Sequence, residues 1–257
     1  MCDHRIVYDV LANGPRWFNP HFRNGGLFMP LEFSVAAFRF GHSMIRPRYR
    51  LNGSRTDESI MSLLEPARNL LTNQRFLDPA FVVEWSNFFG SSAQPARRID
   101  ARLSEGLFTL GFEGDPARAV LNQLAQRNLL RSVVLSIPTG QAVAEAMGIE
   151  PLTRRELLEE QPPAVARAFA RGRLGCRTPL WYYVLQEAKI HTHGQSLGAV
   201  GSRIVAEVLI GLLKADPNSI LNCCAVGPSQ APKGVDTGCG VVATFEDLVA
   251  AAAPKRT

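Results

Sequence analysis

The 257-residue chain is poor in the features that mark several common protein classes. Its five cysteines, Cys2, Cys176, Cys223, Cys224 and Cys239, include no C-x-x-C pair. An odd count in a chain of this length argues against a disulfide framework and for a reduced compartment. Long apolar runs are missing too. The longest, between Val200 and Leu213, is interrupted by Arg203 and Glu207 and is too short to span a bilayer, so it reads as a buried helix. The opening MCDHRIVYDV carries Asp3, His4, Arg5 and Asp9, which leaves no apolar core for a secretory signal, and a cytoplasmic location is expected. Lys and Arg number 28 against 23 Asp and Glu, a net charge of +5, but they are scattered in ones and twos, as at Arg97-Arg98 and Arg154-Arg155. Nucleic-acid binding needs such charges clustered, so no nucleic-acid partner is expected. A phosphate loop is absent as well, since GFEGD at 111–115 lacks the necessary lysine and helix context.

What is present is apolar substance arranged at helical spacing. Hydrophobic residues make up 46% of the chain, enough for a sizeable core. NGPRWFNPHFRNGGLFMP at 13–30 is rich in Gly, Pro and Asn and reads as irregular, within an irregular stretch taken as residues 1–30. Pro30 then suits the first position of a helix, and Glu32 suits its dipole. That helix is expected to run to about Arg46, where Pro47 stops it. Leu31, Val35, Phe38, His42 and Ile45 would share one apolar face.

Further along, residues 50–79 are mixed and polar, with weak helical periodicity around Ile60–Leu71. FVVEWSNFF at 81–89 fits a short strand or a helix equally, and its aromatics favour burial. Asp115 and Pro116 are expected to cap a helix that places Leu121, Leu124, Asn128 and Arg131 on one face. Thr139 caps a short helix through Met147 that Gly148 closes, and TRRE at 153–156 is a capping box. Thr178-Pro179 opens LWYYVLQEA, and a helix covers Gly198 to Lys214. The 222–257 tail is loop-rich, with a last helix over TFEDLVAAAA at 244–253. No internal repeat or run of alternating strands occurs, so the fold class is mainly α, in a single domain over 1–257.

Two polar residues sit on these apolar faces. A histidine there, His42, is either a hydrogen-bonded core residue or a ligand. Arg39 and Arg46 lie three before and four after it, near the same face. An apolar face with a neutral imidazole and guanidinium groups suits an apolar ring bearing carboxylates, as in haem. Asn128 is a buried amide that needs a partner. It serves either as the acceptor for an axial histidine's second N–H or as a helix-packing amide. On spacing alone both pairs of readings stay open.

The segment EFSVAAFRFGHSMIRPRYRLN at 32–52 strongly resembles the proximal-histidine segment of the animal-type haem peroxidase superfamily, in its bacterial branch. RNLLRSVVLSIPTGQAVAEAMG at 127–148 resembles that family's second conserved block. TPLWYYVLQEA at 178–188 and LGAVGSRIVAEVLIGLLKADPNSIL at 197–221 resemble its C-terminal helices. The resemblance implies a mainly helical, haem-peroxidase-like domain binding haem b, with hydrogen peroxide and an organic electron donor as substrates. It implies His42 as the axial ligand of the haem iron, Asn128 as its hydrogen-bond partner, and Arg39 and Arg131 as haem-side arginines. The dioxygenase and cyclooxygenase branches carry a radical-forming tyrosine three residues before the proximal histidine. Arg39 stands there in this chain, which favours the peroxidase-like branch.

The distal half of that pattern is missing. Peroxidases of this kind need a distal histidine to move a proton between the peroxide oxygens, and a distal arginine to stabilise charge as the O–O bond breaks. The G-Q-x-x-D-H-D segment that carries the histidine, with its calcium ligand, does not occur, and only 41 residues precede His42. The expected fold is therefore the proximal half alone, with no calcium site and no distal catalytic residue. The possible accounts are a natural half-length protein, a split enzyme completed by a complementary distal-half chain or a homo-oligomer, and a truncated gene product. In the first reading the chain is a peroxidase. In the second it is a non-catalytic haem-binding or half-enzyme subunit. Other candidate sites are weaker. His191 and His193 in HTH at 191–193 are read as a solvated loop rather than zinc ligands, and Cys223, Cys224 and Cys239 as small loop residues.

Overall fold

The computed structural model describes residues 1–21, 25–63, 79–108, 123–223, 235–236 and 241–252. These are mainly helical, as the spacing of apolar residues led one to expect. Only two two-stranded antiparallel pairs accompany the helices: β1 (Arg48–Tyr49) with β2 (Glu58–Ser59), and β3 (Val235–Asp236) with β4 (Val241–Val242). No described helix is long and apolar enough to cross a membrane.

The chain opens with α1 (His4–Asn13), capped by the Asp3 carboxylate, which accepts from Arg5 N–H at 2.8 Å. This corrects the irregular reading of residues 1–30. The helix is held by long-range contacts that local composition does not report. Val10 is fully buried against Ala206 and Ile210, and Asp9 pairs with Arg203. The segment carrying His42 is helical where expected but irregular in pitch. A π turn (Glu32–Ala36), a 3-10 turn (Ala37–Phe40) and the α-helical turn α2 (Gly41–Met44) follow one another. The chain turns extended at Ile45 (φ −65°, ψ 125°), two residues before Pro47. This composite helix buries Phe33, Ala36, Ala37 and Phe40, whereas Leu31 and Phe38 are exposed. Of the expected stripe, Val35 is buried and His42 and Ile45 are half-buried, but Leu31 and Phe38 are not part of the core face. Wide and narrow turns in one helix shift the phase away from 3.6 residues per turn.

Two 3-10 turns, Pro79–Phe81 and Trp85–Asn87, replace the strand or helix expected over 81–89. Buried Asn87 donates to Leu51 O there, while Trp85 stays half exposed. α3 (Leu124–Val134) carries Asn128; Leu121 and the Asp115 cap lie outside the described residues. α4 (Gly140–Ala146) starts at its Thr139 cap and ends beside Gly148 at φ 66°, and α5 (Arg154–Leu157) has the full capping box between Thr153 and Glu156. α6 (Pro163–Gly172) precedes the two core helices, α7 (Leu180–Thr192) and α8 (Ala199–Ala215). Short helices α9 (Ile220–Cys223) and α10 (Phe245–Ala252) close the described chain, the latter as expected.

The core sits around α7. Its residues Leu180, Tyr183, Val184, Leu185 and Ala188 are all but inaccessible and pack among the composite helix, α4 and α8. Each large apolar side chain buried this way contributes about 1.5–3 kcal/mol relative to exposure. Two buried polar side chains of α7 find partners on other elements. Glu187 accepts from Val200 N–H at 2.9 Å and Gly201 N–H at 3.1 Å, which serves the otherwise bare N-terminus of α8. Tyr183 accepts from Leu152 N–H at 2.9 Å through its hydroxyl. Contact between α4 and α7 is so close that a Cβ on Gly140 would stand 2.0 Å from Tyr183 Cγ. Gly140→Ala is expected to cost about 1–3 kcal/mol or more by overpacking. Urea unfolding measures this, and an unchanged midpoint would show that the two helices do not meet as described.

Candidate functional site

The composite helix and α3 meet along a cavity of about 340 Å³ lined by Arg39, His42, Leu124, Arg127, Asn128, Leu130, Arg131 and Val134. All four sequence-derived candidates, His42, Arg39, Asn128 and Arg131, therefore line one hollow. Leu124, Arg127, Asn128, Arg131 and Val134 recur at three- and four-residue intervals, so α3 presents them as one face. Arg127 escaped the sequence reading, although the same spacing that singled out Asn128 and Arg131 would have found it. Arg46, expected near His42, does not line the cavity. The chain has left the helix by then, and its guanidinium lies 5.8 Å from the ring centre of Tyr49.

Three of the candidates form a single hydrogen-bonded chain. Arg39 Nη1 donates to Asn128 Oδ1 at 2.9 Å, and Asn128 Nδ2 lies 3.0 Å from His42 Nδ1. Asn128 is completely buried, so both ends of its amide need such partners. Arg39 is itself held twice more. Its Nε donates to Ser34 O at 3.1 Å, and its carbonyl accepts from Trp181 Nε1–H at 3.2 Å. Trp181 belongs to α7, so the cavity wall is anchored directly to the core. On α3, Ser132 donates its hydroxyl to Asn128 O at 3.0 Å.

The order of donors and acceptors decides the state of the imidazole. A guanidinium only donates, so the amide oxygen must face Arg39 and the amide nitrogen must face His42. His42 Nδ1 then accepts, and the neutral ring carries its proton on Nε2. Burial first, and then the charges of Arg39 and Arg127, lower the pKa of His42 below its ordinary value. Arg39 is likewise pushed down, by burial and then by the charges of Arg131 and Arg127. Among the described residues, no acidic side chain lines the cavity. The hollow is thus a partly apolar recess bordered by three guanidinium groups and one neutral imidazole.

The remaining candidates are not brought together. His191 is helical and His193 is the left-handed cap of α7 at φ 53°, which corrects the loop reading of HTH. Among the described residues, no three His, Cys, Asp or Glu side chains form a cluster able to hold a metal ion. Cys223 ends α9, while Cys224 and Cys239 lie outside the described residues.

No protein-family model matches the chain, and no curated protein matches it.

The depressed His42 pKa has a definite consequence for stability. The native state binds fewer protons at this ring than the unfolded chain does. The stability due to the neutral ring is therefore fully present above about pH 6.5, the ordinary imidazole value, and is lost as pH falls through the lower folded value. The thermal midpoint is expected to drop more steeply below that pH in the wild type than in His42→Gln, and parallel curves would show an unperturbed ring. Long-range ¹H–¹⁵N NMR at neutral pH should find the proton on Nε2. A proton on Nδ1 would reverse the Asn128 amide.

Proposed function

We propose that the His42 cavity binds haem b, and that the chain is a haem-binding protein built like the proximal half of an animal-type haem peroxidase. The observation that carries this reading is the pairing of a neutral imidazole with arginines around a partly apolar recess. A metal-ligating histidine must be neutral, and His42 is held so. Leu124, Leu130 and Val134 offer apolar surface to a macrocycle, and Arg39 and Arg131 offer charge to its propionates. The donor set therefore suits the group.

Bound haem would supply an iron centre that exchanges electrons with peroxide and with an organic donor. This chain's own residues prepare for it by a change of hydrogen bonding. Nε2 must give up its proton to become a ligand, which moves the ring proton to Nδ1. Asn128 must then turn its amide over so that Oδ1 accepts from Nδ1–H. That rotation faces the amide nitrogen towards Arg39, ends the Arg39–Asn128 bond and frees the guanidinium for a propionate. Ligand binding at His42 and anion binding at Arg39 are thereby coupled through a single side chain.

Hydrogen peroxide reduction needs a proton-shuttling group on the opposite side of the ring. Among the described residues no second histidine lines the cavity. This favours a second reading, a non-catalytic haem-binding or half-enzyme subunit completed by a partner chain. Strongly exposed Val133 and Val134, at 74% and 70%, lie at the end of α3 beside the recess, where a partner would cover them.

Titration of the purified chain with haemin separates these readings. Saturable one-to-one binding with a displaced Soret band is expected, weakened at least about tenfold, or ~1.4 kcal/mol, in His42→Ala at unchanged helical content. Equal binding by both would remove His42 from the role of ligand. Peroxide-dependent oxidation of a phenolic donor by the haem-loaded chain would identify a working peroxidase. Binding without turnover would identify the subunit.

A further inference from the structure

A second cavity, of about 330 Å³, lies on another flank of α3, and its described lining shares no residue with the His42 cavity. Its walls come from α3, α6 and α7, with the 3-10 turn Glu105–Phe108 beside them. The floor belongs to the core: Trp181, Phe169 and Leu185 are 4%, 5% and 2% exposed. Phe108 and Leu129, at 44% and 37%, mark the mouth.

Every described side chain of the lining is aliphatic or aromatic, and none is charged. Only two of them carry a polar atom, and each already donates to the protein. Trp181 Nε1–H donates to Arg39 O at 3.2 Å, and the Tyr182 hydroxyl donates to Leu157 O at 2.7 Å. A carboxylate or ammonium placed inside would therefore lose its water without gaining a side-chain partner of opposite charge. Trp181, Phe169 and Tyr182 make the wall aromatic, the last two with ring centres 5.2 Å apart at 56°. Such rings favour a further ring in offset or edge-to-face contact. Volume sets the size of the occupant. An apolar cavity of about 150 Å³ stays dry and takes up benzene, and this one is about twice as large. Left empty, its walls forgo dispersion contacts that an apolar occupant restores.

We propose that this cavity binds a neutral aromatic molecule the size of two fused rings. The rings lie against Trp181, Phe169 and Tyr182, and any polar substituent must point out past Phe108 and Leu129. Charged molecules of the same outline are rejected when a charge has to enter. The inference is independent of the haem reading, since the two cavities share no described lining residue and differ in chemistry.

The test is an NMR titration of the full chain with naphthalene, followed at the indole N–H signals of Trp17, Trp85 and Trp181. Saturable one-to-one binding is expected, with the Trp181 signal shifted and the other two unmoved. Naphthalene-2,6-dicarboxylate carries a charge at each end, one of which must enter the cavity, and should bind at least about tenfold more weakly. Ala125→Phe places a ring in the cavity from α3 and should weaken naphthalene binding at least about tenfold at unchanged helical content. Ala168 lines the same cavity from α6 and is exposed, so Ala168→Phe loads no core position and repeats the test if Ala125→Phe fails to fold. Absence of saturable binding, an unmoved Trp181 signal, or equal affinity for the dicarboxylate overturns the proposal. So does unchanged binding by either folded variant.

Discussion

One buried amide organises the better-defined of the two sites. Asn128 has no contact with water, so its oxygen and nitrogen must both be satisfied by the protein. The oxygen takes Arg39 and the nitrogen faces His42, and this ties α3 to the composite helix at a fixed separation. Arg39 in turn hangs from the core through Trp181. A continuous line of hydrogen bonds therefore runs from α7 to the imidazole. Because each link has only one workable donor–acceptor order, the tautomer of His42 is set by a guanidinium it does not touch. A ligand taking Nε2 would need the other tautomer, and Asn128 could serve that tautomer only by giving up its bond from Arg39.

The uneven pitch of the composite helix explains why a site exists on that side at all. A regular helix would have continued its core stripe from Leu31 through Phe38 to His42. The π turn at Glu32–Ala36 and the 3-10 turn after it instead bury Phe33, Ala36, Ala37 and Phe40. Phe38 and His42 are left towards the surface, and there His42 faces α3. The same segment borders the first cavity through Arg39 and His42, and Arg39 O ties it to Trp181 in the wall of the second. Irregular helical turns of this kind often mark functional positions, because they re-aim side chains without breaking the helix.

Several elements were legible because their causes are local. The caps at Thr139 and Thr153 are each made by a side chain three residues from its target, and the structure forms both. The helix over Gly198 to Lys214 and the last helix follow from continuous apolar content, and the α3 face from spacing alone. The first helix was missed because its support is distant: Val10 needs Ala206 and Ile210, and Asp9 needs Arg203. The burial pattern around His42 was missed because periodicity assumes a constant pitch.

By itself, the sequence determined the mainly helical class, several helix ends, the candidates His42, Arg39, Asn128 and Arg131, and a likeness to haem peroxidases that remains a proposal. These rest on residue types and on neighbours within about one helical turn, which the order of residues specifies directly. Tertiary structure alone decided that the four candidates border one recess, that Arg127 joins them, and that the imidazole proton belongs on Nε2. It alone buried Glu207 against Trp17 N–H and set an apolar cavity beside Trp181. These are relations between groups up to 194 positions apart, such as Asp9 with Arg203 or Glu207 with Trp17. Only the packing of helices against one another brings such distant groups within hydrogen-bonding range, and only burial makes their satisfaction compulsory.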